Sequence, residues 1–357
     1  MKNKFWMSVL VLLLTFTVVL AGCGKKESPK TALEESFTTA SSMNSADFNM
    51  NMTLNLDFPE SALNADPNLA MGANLLKNLD LTAKGVYQAD PMQMEMTLEA
   101  NLKGDMPMKI SLPMVMTKDK MYVKVPNIPI LPIPKDAVGK YIVVDVNELN
   151  QTTEGKVNVN AIDVKKQQEF GQDAMKIFTT NFDEKTYFVD VDKKNAGLPE
   201  NVDAKQVVKF QITNENLEPA IKTIVEKVAP QLLDLVSSDK YKDMLQVDPA
   251  EIEKAKKELA AGSSKEDTQK AIDELKKVLK INDFNILTAI NKDKFPAYQE
   301  INANLDITDE KQGTIKVGTK IKTEYSNINQ KANLQPLPTD TLTIEQFSQK
   351  MQASGMQ

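Results

Sequence analysis

Methionine recurs at alternate positions in this chain, and a thioether at every second residue has two chemical meanings. Met92, Met94 and Met96 stand two apart, as do Met50 and Met52, Met106 and Met108, and Met114 and Met116, within a total of 18 methionines. Thioethers are soft ligands, so such a set fits copper(I). They are also flexible apolar side chains that fill irregular space and suit adaptable binding surfaces. The second meaning prevails. These residues all fall on the apolar parity of their segments, histidine is absent, and cysteine occurs once, at Cys23. No metal and no cofactor is expected.

Other constellations carry less. In Asp190-Val191-Asp192-Lys193-Lys194-Asn195 a lysine takes the place of a third calcium ligand and no glycine takes the sixth, so a strand end and turn is expected. Glu34 and Glu35 are neighbours on a predicted helix and point apart, which gives no acid-base pair. Ser263 and Ser264 occupy helix-cap positions with no histidine to activate them. The 43 basic residues are all lysine, so the guanidinium fork that grips phosphates and base edges is missing. A formal charge of -6, more negative once Lys2 and Lys4 are removed, disfavours polyanions. The chain therefore reads as neither an enzyme nor a nucleic-acid binder.

The lone cysteine ends the one long apolar run. Lys2 and Lys4 precede the charge-free stretch Phe5 to Leu20, and Ala21 and Gly22 are small, as a secretory signal requires. Leu20-Ala21-Gly22-Cys23 resembles the bacterial lipobox. That resemblance implies cleavage after residue 22, a diacylglycerol on Cys23, and a protein held on the extracytoplasmic face of the cell membrane. Two acyl chains anchor stably where one does not. Residues 23–30 then read as lipidated cysteine and tether, and 31–357 as a single domain.

The elements around the methionines follow from periodicity. Leu33, Phe37 and Ala40 in residues 31–43 predict a short helix. From Phe48 through Met50, Met52 and Leu54 to Phe58 the period is two. The same alternation recurs from Met92 to Leu102, with Leu98 on the apolar parity, from Met106 to Met116, from Ile301 to Ile307 and from Ile315 to Ile321. One apolar and one polar face is what antiparallel strands allow. "PNIPILPIP" at 126–134 is a loop or edge whose apolar residues form a candidate rim. "KYIVVDV", "TYFVDV" and "QVVKFQIT" read as further strands. A helix over 163–180 places Val164, Phe170, Met175 and Phe178 inward. A helical insertion spans about 215–281, with Pro230 kinking or ending its first helix, Asp248 and Ser264 starting others, and Ala271, Leu275, Val278 and Leu279 on a buried side. Thr343 and Gln346 cap a last helix. The class is α+β, a large curved antiparallel sheet with helices on its apolar face.

In this order of elements, the lipobox, the alternating strands, "MYVKV" leading to "KYIVVDV", and the closing "DKFPAYQEINANLDI", "YSNIN" and "LQPLP" resemble the LolA/LppX-like bacterial envelope lipoproteins. The resemblance spans most of residues 31–340. It implies an open half-barrel whose concave face is capped by helices and holds acyl chains, lined here by Phe48, Met50, Met52, Leu54, Met94, Met96, Leu98, Met114 and Met116. Two functions are then open. One is a lipoprotein that binds a lipid or other hydrophobic ligand in a Met-rich cavity. The other is a scaffold that holds an envelope protein partner and carries no ligand. Empty volume under the helices favours the first.

Overall fold

The computed structural model describes residues 27–65, 70, 73, 79–103, 107–128, 131–146, 164–245, 247–261, 265–309 and 313–354. The expectations for the signal segment, Cys23, Met106, Ser263, Ser264 and the side chains of Val164 and Ala271 lie outside these residues.

Alternation builds the frame. The strands are β1 Ser45–Asp57, β2 Leu79–Ala89, β3 Met92–Leu102, β4 Met108–Thr117, β5 Lys120–Lys124, β6 Tyr141–Asp145, β7 Phe188–Val191, β8 Gln206–Gln211, β9 Leu279–Ile290, β10 Pro296–Asp309, β11 Gly313–Ser326 and β12 Thr341–Leu342. They form one open 12-stranded sheet in the order β12-β6-β5-β4-β3-β2-β1-β11-β10-β9-β8-β7. Two meanders, β1 to β6 and β7 to β11, thus meet at a central β1–β11 seam. Every pair is antiparallel except β12 with β6. The expected antiparallel sheet ends in this one parallel pair because the chain after β11 recrosses the polar outer face. There the Gln335 amide donates to Glu95, and Gln93 donates to the Gln335 carbonyl at 3.2 Å.

Register sets what shares a face. Tyr325, Phe48, Gly85, Met96 and Met114 stand opposite one another on five adjacent strands. Gly85 is required there. A Cβ at this position would run into the Glu95 carbonyl and stand 2.9 Å from Cζ of Phe48, whose ring lies over the glycine.

Helices cover part of the apolar face. They are α1 Pro29–Ala40, α2 Glu60–Ala65, α3 Val164–Asn181, α4 Glu184–Tyr187, α5 Leu217–Thr223, α6 Ala229–Ser237, α7 Lys242–Leu245, α8 Pro249–Ala261, α9 Lys265–Val278 and α10 Ile344–Ala353. The first begins earlier than its periodicity predicts. Ser28 caps it, Pro29 fills its first turn, and the chain before it is already fixed: the Glu27 carbonyl accepts from Gln206 at 3.0 Å. The tether expected over 23–30 is shorter at its far end for that reason. Twelve residues at about 1.5 Å each give α1 a length of about 18 Å. That matches the four strand spacings of about 4.8 Å from β8 to β1, so α1 bridges one end of the sheet crosswise.

Under α1 and α3 lies the main core. Phe178, Phe182, Tyr187 and Phe188 surround Phe210, which is 2% exposed, with ring centroids 4.5 to 5.8 Å away. A second cluster, Val207, Leu287, Ala289 and Tyr298, sits on the outer face beneath the segment carrying Leu198 and Val202.

Two helix expectations need correction. Pro230, expected to kink or end its helix, does not end it. Residues Ile224–Val228 widen into a π-turn between α5 and α6, and Pro230 lies in the first turn of α6, so the widened turn accommodates its missing N–H and its ring. The buried side of α9 is centred on Ile272, fully enclosed, whereas Val278 is exposed and Leu279 already begins β9. The described residues of the proline-rich segment, 126–128 and 131–134, form a loop, as expected. That stretch does not rim the apolar face of β1 to β3. It packs instead beside α10, where Lys350 pairs with Asp136 and Ser354 donates to the Pro132 carbonyl.

Candidate hydrophobic ligand site

Beneath α1 and α3 the apolar face is not filled. A cavity of about 430 Å³ remains. Its floor is Phe48 and Met50 of β1, Ala83 and Tyr87 of β2, Met94 and Met96 of β3, with Pro296 and Gln299 of β10 and Tyr325 of β11. Its roof is Phe37 and Ala40 of α1, Met43 just after it, and Gln167, Gln168 and Gly171 of α3. Gln168 ties the two helices together by donating to the Met43 carbonyl at 3.3 Å.

One end is closed and the other open. Met43, Ala46 and Phe295 pack with Tyr325 and Ile328 to seal the end where β1 starts. Beside that seal Lys294 pairs with Glu27 at 3.0 Å and with Glu35. The Lys294 hydrogen bond holds the Glu35 carboxyl below its usual range, and the same bond holds the lysine above its own. Along β1 in the other direction shielding falls off: Met50 is 41% exposed, and Leu98 on β3 is 39% exposed. The floor thus continues outward as an apolar groove.

Of the nine residues expected to line a cavity, Phe48, Met50, Met94 and Met96 do so. Met52, Leu54, Leu98, Met114 and Met116 share their face but stand outside the enclosed volume. Met94 is opposite Met116, Met96 opposite Met114, and Met52 opposite Ile321. The helices bridge only one end of the strands, which is why the enclosed part is smaller than the parity set. The roof residues and the β10 and β11 contributions were not in the expected set, although Phe37 and Ala40 fell on the apolar stripe of α1 and Tyr325 continues the parity of Ile315 to Ile321.

Among the described residues, no charged side chain lines the cavity. Its polar groups are amides and phenols. Tyr325 is buried enough that desolvation raises its pKa above the usual tyrosine value. Among the described residues, no group of His, Cys, Asp and Glu is placed to hold a metal ion, and no helix is long and apolar enough to cross a membrane. The enclosed volume is therefore suited to an apolar chain, with no anionic or cationic group to neutralise.

No protein-family model matches the chain, and no curated protein matches its sequence. Among solved structures, the crystal structure of LprF from Mycobacterium bovis is similar over 87% of this chain and 96% of that one, with 9% sequence identity and a TM-score of 0.31.

Proposed function

We propose that this protein is an extracytoplasmic lipoprotein, anchored through Cys23, that binds one acyl chain or a similar hydrophobic ligand in the methionine-lined cavity. The observation that supports this is the cavity itself: about 430 Å³ left open where α1 and α3 cover the apolar face, and continuous with exposed apolar residues beyond them. Interiors are normally close-packed, and a void of this size forgoes the dispersion contacts of its lining unless something occupies it. A scaffold for an envelope partner has no need of such a void. Methionine suits the role because its unbranched thioether repacks around chains of different shape.

Organic extraction of the protein purified from bacterial membranes tests the reading. About one acyl lipid per chain is expected, with none when Met50→Glu places a charge at the open end. Met50 is already exposed, so this variant keeps its fold. Protein that yields no lipid and also fails to take up a fluorescent acyl probe overturns the reading and turns attention to protein partners. The anchor is tested separately: Cys23→Ser is expected to leave the membrane fraction.

A further inference from the structure

The chain enters the fold at one particular end of the sheet. Glu27 is fixed there twice. Gln206, at the start of β8, donates to its carbonyl at 3.0 Å, and Lys294, in the turn between β9 and β10, pairs with its carboxylate at 3.0 Å. Phe295, next to Lys294, belongs to the seal of the cavity. Glu27 therefore stands at the closed end, and the apolar groove leads away from it along β1.

Only residues 24–26 separate Glu27 from Cys23. Four Cα-to-Cα steps reach at most about 14 Å, whatever path they take. By contrast, the 13 residues of β1 carry the sheet about 40 Å from Ser45 to Asp57. A diacylglycerol on Cys23 thus keeps the closed end close to the lipid surface. The tether alone still lets the domain tip onto its side, and the charges at the closed end decide against that. Lys194 after β7, Lys205 before β8 and Lys292 in the β9–β10 turn are exposed in succession across this end. Lys194 and Lys292 form no ion pair among the described residues, whereas the nearby Asp203 is taken up by Lys193 at 3.9 Å. Asp293 is the acid beside Lys292, and the tether adds Lys25 and Lys26. Ammonium groups brought within a Debye length of anionic head groups are attracted to them.

We infer that the turns carrying Lys194, Lys205 and Lys292 form a docking face for the anionic bilayer that holds the anchor, so that the mouth of the cavity opens away from that bilayer. This rests on the Cys23 anchor proposed above and adds an orientation to it. Cargo then enters and leaves on the aqueous side, and not straight from the leaflet beneath.

Energy transfer to the membrane tests the orientation. The chain has no cysteine besides Cys23, whose thiol the lipid occupies, so a single reporter thiol can be introduced. Asp293→Cys places it at the closed end and leaves every lysine in place. Thr308→Cys places it on β10, about 40 Å from Pro296. Both positions are exposed. The full lipidated chain, labelled with a donor dye, is added to vesicles of phosphatidylcholine and phosphatidylglycerol that carry an acceptor dye on a head group. Most of the donor emission is expected to be lost at position 293 and most retained at 308. In the background of Lys194→Glu, Lys205→Glu and Lys292→Glu the protein is expected to stay on the vesicles while the difference between the two positions disappears, with circular dichroism checking the fold. Equal loss at both positions in the unaltered protein, greater loss at 308, or a difference that survives the triple variant overturns the docking face and leaves the anchor intact. Lipidated protein that does not stay with the vesicles overturns the anchor itself.

Discussion

A series of monoacylglycerols from eight to twenty carbons measures the cavity from the ligand's side. At about 30 Å³ for each water-sized group in a liquid, 430 Å³ holds roughly fourteen such groups. Each methylene moved from water into it contributes about 0.8 kcal/mol, or close to fourfold in affinity. A full chain therefore gains about 11 kcal/mol, from which association removes at least about 4, leaving a Kd near 10 µM. Displacement of a fluorescent acyl probe is expected to show this fourfold gain per carbon up to about fourteen carbons. Beyond that point added methylenes lie along Met52 and Leu54, where one side faces water, and the gain per carbon drops to about twofold or less. Ala83→Phe puts a ring into the floor and is expected to move the break about three carbons shorter. An unbroken slope to twenty carbons, no slope at all, or a break that stays in place in Ala83→Phe would refute the assignment of this volume as the binding site.

Three further outcomes follow from the packing. Phe210→Ala removes the ring that four aromatic neighbours surround and is expected to cost about 4 kcal/mol in urea denaturation; a loss under about 1.5 would show that this cluster does not hold α3 to the sheet. Gly85→Ala forces a Cβ against the Glu95 carbonyl and the Phe48 ring, so about 1–3 kcal/mol of stability and much of the acyl affinity should be lost together, with Phe48→Leu restoring part of the stability. The Tyr241 hydroxyl donates to Asp173 at 2.7 Å and, with Lys240, holds that carboxyl below the usual range. Its contribution is present above the unfolded carboxylate value near 3.9 and fades as pH falls through the lower folded value. Asp173→Asn should therefore lower the melting temperature at neutral pH and flatten the decline below about pH 4; an unchanged acid limb would show that the pair is not coupled to folding.

How much of this was legible in the chain depends on what each residue had to reconcile. β1 and β3 announce themselves because apolar and polar side chains alternate strictly over ten or more residues, and β4, β10 and β11 because they do so over shorter runs. β2 does not, because its inward positions include Ala83 and Gly85, kept small where Phe48 lies over the strand. β9 is hidden by an irregularity. Its register against β10 shifts between Asp283 and Ile281, so the inward parity passes from Leu279 and Ile281 to Phe284, Ile286 and Thr288, and no single alternation runs through it. The cavity floor on β1 and β3 was readable for the same reason as those strands. Its Tyr325 side was not, since the contact of Phe48 with Tyr325 is a matter of long-range register that no local pattern encodes. Gln299 looked like an ordinary polar position. Only its register against β9 and β11 places it at the cavity.

The β1–β11 seam has a consequence for the order of events during folding. Within each meander, neighbouring strands are neighbours in sequence, most of them joined across far fewer residues than separate β1 from β11; the longest connection is the helical insertion between β8 and β9. The seam joins residues at opposite ends of the domain, and the Asn44–Asn329 bond at its end spans 285 positions. Closing a loop of that length costs about 5 kcal/mol of chain entropy before any contact is returned. Neither half can cover its inner edge until β11 exists, so the ribosome must release nearly the whole chain first. Hairpins form early and locally, and the docking of the two halves comes last and sets the rate. Until then β1 and β11 are both unpaired edges with apolar faces, and this is the interval in which the chain is most exposed to pairing with the wrong partner.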